Sequence, residues 1–175
     1  MMRPFFSDMG RRLLDDVRGA VAVEVALATP FLVLLTAGVI EYGKMLSDTQ
    51  LMQTGVRDAA RYLASIPGLP TGAAPNRSLI EEQARRLAVT GTIASGASSR
   101  VKDWSATAGA VQIAYLPSAN GRSAVTGLRA YRGDDAVYVV RVTGSMPYTG
   151  IGLLQALHLG PFSLRATHEE RHVAP

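Results

Sequence analysis

The chain of 175 residues contains no cysteine. That excludes disulfides, thiolate nucleophiles and cysteine-ligated zinc together, while leaving the compartment open. Charge is also sparse: 18% of residues are charged and the formal net charge is +4. Lys44 and Lys102 are the only lysines, so arginine supplies 16 of the 18 positive charges, and the arginines are scattered. Aromatic residues make up 6% of the chain. None interleaves with a basic stripe, which argues against nucleic acid as a partner.

Arrangements that carry chemistry are lacking as well. The histidines are His158, His168 and His172. The last two are four apart, but alternation there predicts a strand, where they would lie about 13 Å from each other. No carboxylate–histidine spacing of a zinc motif accompanies them, so they read as solvated edge residues. Gly133-Asp134-Asp135 lacks the further oxygen ligands of a calcium loop and reads as a turn. Ser145 does not sit in a G-x-S-x-G elbow. No glycine loop is followed by Lys-Ser/Thr to cradle a phosphate. The sequence predicts no enzyme, no metal and no cofactor.

What the sequence does have is an apolar run near its N-terminus. Ala20–Ile40 reads AVAVEVALATPFLVLLTAGVI, with Glu24 its one charge. As a helix this run is about 31 Å long, matching a hydrocarbon core of roughly 30 Å. It exceeds the apolar region of a secretory signal peptide, and Glu41-Tyr42-Gly43-Lys44 offers no small-residue cleavage site. A retained, single-pass membrane span is predicted. Arg3, Arg11, Arg12 and Arg18 precede it, and Lys44 is the nearest base after it. The positive-inside rule therefore places the N-terminus in the cytoplasm and residues beyond about 42 outside.

Two residues within the run ask for partners. Pro30 lacks an N–H and clashes with the carbonyl of Ala26, so it predicts a helix kink. In lipid, the freed carbonyl needs a donor from elsewhere. Glu24 costs roughly 2.5–3.5 kcal/mol or more if placed at the bilayer centre. It either reaches toward the headgroups or finds a counter-charge. Cleavage after Gly19 would supply one, because the new Ala20 amine lies one helical turn from Glu24.

The stretch from Gly19 to Glu24 (GAVAVE) resembles the class III signal of type IV pilin-like proteins. Prepilin peptidase cuts such signals after the glycine and leaves glutamate as the fifth mature residue. Val25 stands where those signals favour Phe or Tyr. The longer stretch Val21–Ser65 resembles the TadE-like family of pilus assembly proteins. The matching points are Glu24, Pro30, the Glu41-Tyr42-Gly43 step and Ala59-Ala60-Arg61-Tyr62. This resemblance implies cleavage by prepilin peptidase between Gly19 and Ala20, and an assembly contact from Glu24 to the amine of an adjacent subunit. It further implies a single-pass protein of the bacterial inner membrane with a periplasmic C-terminal domain. Its implied partners are other Tad pilins or pseudopilins and inner-membrane platform proteins. Its implied role is that of a minor pilin or pseudopilin in a tight-adherence (Flp-type) pilus. A single-pass, membrane-anchored extracytoplasmic binding module is the alternative.

Beyond the span, Tyr42, Met45, Leu46, Thr49, Met52, Val56, Ala59, Ala60 and Leu63 recur at spacings of three and four, predicting one helical face. One helix over 20–65 would be about 69 Å long, weakened by Gly43 and Gly55. Pro67-Gly68-Leu69-Pro70 ends it. Ser78 and Glu81 form the pattern of a capping box that opens a second helix at about 79–89. Alternation then predicts strands at 109–116, 136–145 and 162–171. A polar connection at 117–135, carrying Arg122, Arg129 and Arg132, joins the first two strands. The linker 147–161 holds a short helix at 153–157. Trp104 reads as a core or boundary residue.

The predicted class is α+β: a long N-terminal helix, a second helix and a small C-terminal antiparallel sheet, an arrangement that suits a pilin-like fold. The expected organisation is a leader peptide at 1–19, a transmembrane helix at 20–40, its extracytoplasmic continuation at 41–65 and an α+β domain at 66–175.

Overall fold

A computed structural model describes residues 17–131 and 135–173, without the side chains of Val17 and Arg18. The basic flank at Arg3, Arg11 and Arg12, leader residues 1–16, and Arg132, Gly133 and Asp134 lie outside the described residues. The elements in chain order are helix α1 (Val17–Ala64), helix α2 (Arg77–Thr90), strand β1 (Val111–Ala119), strand β2 (Ala136–Pro147), the one-turn helix α3 (Leu153–Ala156) and strand β3 (Ser163–Arg171). The fold is α+β. The chain divides into two compact units between Gly43 and Lys44.

In the first unit, α1 buries nothing apolar over its most hydrophobic stretch. Val21, Leu27, Phe31, Leu35 and Val39 are all more than half exposed. Helix formation here owes nothing to tertiary packing. It follows from an apolar run in which every backbone group away from Pro30 finds its partner within the helix.

The second unit is built around the rest of α1. Met52, Val56, Ala59, Ala60 and Leu63 are fully buried, at the spacing of one helical face. Against them pack Ala84, Ala88 and Val89 of α2, and Val111, Val140, Val142, Met146, Leu164 and Ala166 of the sheet. The sheet has the order β1-β2-β3 and is antiparallel throughout, with Val111 opposite Gly144, Val142 opposite His168 and Pro147 opposite Ser163. Val111, Ile113 and Tyr115 alternate inward along β1.

Two glycines let these layers meet. A Cβ at Gly55 would stand 2.1 Å from the carbonyl oxygen of Ala88, and one at Gly144 2.8 Å from Trp104. Trp104 is 2% exposed, with its six-membered ring wedged between α1 and β2. In sequence, Gly55 reads as a helix-weakening residue; in the fold the α2 backbone at Ala88 occupies the space beside it.

Three readings of the sequence need correction. Tyr42 and Leu46 do not join the buried face, being 62% and 47% exposed. At 100° per residue Tyr42 has the same angular position as Ala60 but lies before the second unit begins at Lys44, whereas Leu46 sits about 95° from the centre of the Met52–Leu63 stripe. The capping box does not form. Helix α2 begins earlier, at Arg77, after Asn76 in the left-handed region (φ 56°) with no side-chain cap. The Glu81 carboxylate is instead taken by Arg77, Arg85 and Tyr115. His172 is also less solvated than an edge residue would be: its Nε2–H donates to the Ile66 carbonyl at 2.9 Å.

Candidate functional site

The residues singled out by sequence all lie on α1. Gly19 and Ala20 are helical, and Glu24 follows one turn later with its side chain exposed. Pro30 lies inside the helix, and the helical assignment passes through it unbroken. Its ring removes the donor that Ala26's carbonyl would otherwise receive. One residue earlier, Thr29 Oγ1 donates to the Val25 carbonyl at 2.6 Å. Thr36 Oγ1 does the same to Leu32 at 2.8 Å. Such back-bonding satisfies the hydroxyls within the helix and is a recognised source of helix bending.

At 100° per residue, the segment presents two contrasting faces. Glu24, Phe31, Leu35 and Tyr42 follow one another at spacings of seven, four and seven and form one of them. On the opposite side, Ala22, Ala26, Thr29, Val33, Thr36 and Ile40 recur at alternating spacings of four and three. A shallow groove over that side is lined by Thr29, Leu32, Val33, Thr36, Ala37 and Ile40. Small residues at this spacing are what helix–helix contacts in lipid use. Sequence reasoning passed over this face, although its four-three alternation is the signal that marks it. The charge and the small-residue groove therefore point different ways.

Glu41 differs from Glu24. It closes the apolar run and is 4% exposed, so it is a buried carboxylate that reads from sequence only as a boundary residue. A buried carboxylate is retained only where hydrogen bonds or charge satisfy it.

The second unit offers ion pairs rather than a reactive constellation. Glu81 accepts from Arg77 Nε at 2.9 Å, Arg85 Nη2 at 3.4 Å and the Tyr115 hydroxyl at 3.2 Å. The Arg77 guanidinium stacks over the Tyr115 ring at 4.6 Å. Burial, and then the neighbouring Glu81 charge, push the Tyr115 hydroxyl well above its ordinary value of 10.0. It stays protonated and donates a hydrogen bond to the carboxylate. With Arg85 Nε also donating to the Val111 carbonyl at 3.3 Å, the cluster joins α2 to β1. Arg100 pairs with Asp58 at 2.9 Å, fastening the connection after α2 onto α1. His168 contacts Glu170 at 3.3 Å on the β3 edge. Among the described residues no group of three His, Asp or Glu side chains is placed to hold a metal ion.

The model of the TadE-like protein family matches residues 19–61. The match covers Gly19, Glu24 and Pro30, together with α1 as far as the Ala59-Ala60-Arg61 step. This stretch is TadE-like, as the resemblance implies, and the family is a pilus-associated, structural one. No curated protein and no solved structure matches the chain.

Proposed function

We propose that the chain is a minor pilin or pseudopilin that acts in assembly of a tight-adherence (Flp-type) pilus and carries out no catalysis. The observation that carries this reading is Glu24: a lone, exposed carboxylate within an apolar helix that the TadE-like family matches. Unpaired charge at this depth disfavours insertion, so a partner for it stabilises contact with a neighbouring subunit. In this reading prepilin peptidase cuts between Gly19 and Ala20. The Ala20 amine of one copy then meets Glu24 of another, or of a related pilin, and sets the register between helices. Pro30 kinks the helix, and its freed Ala26 carbonyl becomes available to a donor on the neighbour.

Residues 20–40 span the inner membrane, with the second unit in the periplasm. Partners follow from this placement: the peptidase on the cytoplasmic side, other Tad pilins in the bilayer, and platform proteins at the base of the machine. The test is Glu24→Ala in a piliated strain. Membrane insertion should persist, because an apolar residue replaces a charge, while pili on the cell surface fall to a small fraction of wild type. Unchanged piliation would remove the pairing from the account.

A further inference from the structure

Residues 148–163 read YTGIGLLQALHLGPFS and contain no Asp, Glu, Lys or Arg. Tyr148 is buried in the core and Leu153 is half-buried, but most of the remaining large apolar side chains face outward. Ile151 is 52%, Leu157 45%, Leu159 51% and Phe162 47% exposed, whereas Leu154 packs against the core. Four large apolar side chains exposed within twelve residues are the kind of surface feature that marks an interaction site.

The position of this segment within the second unit indicates what it meets. Just past β3, Val173 N–H donates to the Ala64 carbonyl at 3.2 Å, at the far end of α1. Further back along the sheet, Gly144 lies against Met52 and Val56, with Ala166 as its β3 partner. The sheet therefore runs along α1, and its Pro147/Ser163 end points toward the start of the unit at Lys44. Three residues of strand from Gly144 to Pro147 advance about 10 Å. Seven residues of helix from Met52 back to Met45 cover about 10 Å as well. The segment between Pro147 and Ser163 thus emerges at the level of Met45. From Ile40 to Lys44 the chain is four residues, at most about 14 Å when fully extended. A bilayer spanned by residues 20–40 has its surface within that reach of Lys44, whatever conformation the connection takes.

We propose that residues 151–162 form a second membrane contact, seating Ile151, Leu157, Leu159 and Phe162 in the interfacial layer of the bilayer that α1 crosses. The proposal rests on the reading of residues 20–40 as a span. Exposed leucines beside an aromatic supply apolar area that the boundary between headgroups and acyl chains can bury, and no charge in the segment has to be desolvated there. The opposite end of the sheet provides an internal contrast. There the connection after Ala119 exposes Val125 by 94% and Leu128 by 69%, but it also carries Arg122 and Arg129 and lies at the end remote from Lys44. A second contact fixes the orientation of the periplasmic unit on the membrane, and it must be released when the helix leaves the bilayer.

Because the chain has no native cysteine, single-cysteine variants can report this directly. The variants are Leu157→Cys, Phe162→Cys, Val125→Cys and Leu34→Cys in the full chain, each labelled with NBD and kept only if it unfolds at the wild-type temperature. They are reconstituted into phosphatidylcholine vesicles carrying nitroxide lipids with the quencher either near the glycerol level or deep in the acyl chains. Labels at 157 and 162 should be quenched by the shallow nitroxide severalfold more than the label at 125. The label at 34 should respond to the deep one. Quenching at 157 and 162 no stronger than at 125, with the label at 34 quenched, would overturn the proposal and leave the span intact. A blue-shifted label at 157 or 162 that no nitroxide lipid quenches would assign the patch to a protein neighbour and overturn it too. Failure to quench the label at 34 would overturn the span itself.

Discussion

Tyr115 illustrates how individual side chains fasten this small domain. Its hydroxyl donates to Glu81, whose carboxylate also accepts from Arg77 and Arg85. The folded state thus keeps a proton that the unfolded chain releases near pH 10. Above that pH the native state binds more protons than the unfolded state, so stability falls as pH rises. Below it the contribution is fully present. Tyr115→Phe removes both the hydrogen bond and the titration. We expect it to cost about 1 kcal/mol at neutral pH, and to flatten the fall in stability above about pH 10 that denaturant titrations of the wild type should show. An equal slope for the two proteins would show that Tyr115 titrates normally. None of this is legible in sequence, where Tyr115 is one apolar-face residue of a strand and Glu81 reads as a capping-box partner. The sequence holds no sign that the two meet, because they are 34 residues apart.

For whole elements, periodicity carried most of the information. Alternation placed all three strands to within about three residues, and the three-four spacing placed the buried stripe of α1 from Met52 to Leu63. Tyr42 and Leu46 were drawn into that stripe because a spacing rule counts apolar residues and does not know where the domain begins. Tyr42 is exposed because packing starts only at about Met45, and Leu46 because it lies about 95° around the helix from the stripe. Gly55 shows the opposite limit. Propensity counts it as a cost of up to about 1 kcal/mol, yet the backbone of α2 occupies the space a side chain would need. Gly55→Ala should therefore destabilise despite its better helix propensity. We expect a loss of about 1–3 kcal/mol from overpacking, read as a Tm lower by roughly 5–10 °C. A Tm at or above wild type would mean that α1 and α2 separate at little cost. The candidate site on α1 was legible in a similar, partial way. Glu24 and Pro30 stood out as misfits in an apolar run, whereas the small-residue face opposite Glu24 did not, since nothing on it is out of place in a membrane.

At the level of the whole molecule, the border between units does not fall where helix and domain part in the sequence. The expected α+β domain begins at residue 66, after the long helix. The hydrophobic core instead includes Met52, Val56, Ala59, Ala60 and Leu63, and the compact unit begins at Lys44. A fragment starting at 66 would expose one whole wall of that core. A fragment of residues 44–175 should unfold cooperatively in denaturant and one of 66–175 should not. Matching cooperative transitions would show that the sheet and α2 suffice without α1. Neither fragment should support pilus assembly, since both lack Glu24 and the span. The same division separates the two roles proposed for the chain: a folded unit from Lys44 onward, and an apolar helix proposed to carry the assembly contact.

That contact depends on a free amine at Ala20, and hence on cleavage after Gly19. The intact mass of the protein purified from membranes of cells that make prepilin peptidase tests this dependence directly. The account predicts a chain that begins at Ala20 in those cells and a longer, uncleaved chain when the peptidase is deleted. A chain that keeps residues 1–19 in both would contradict it.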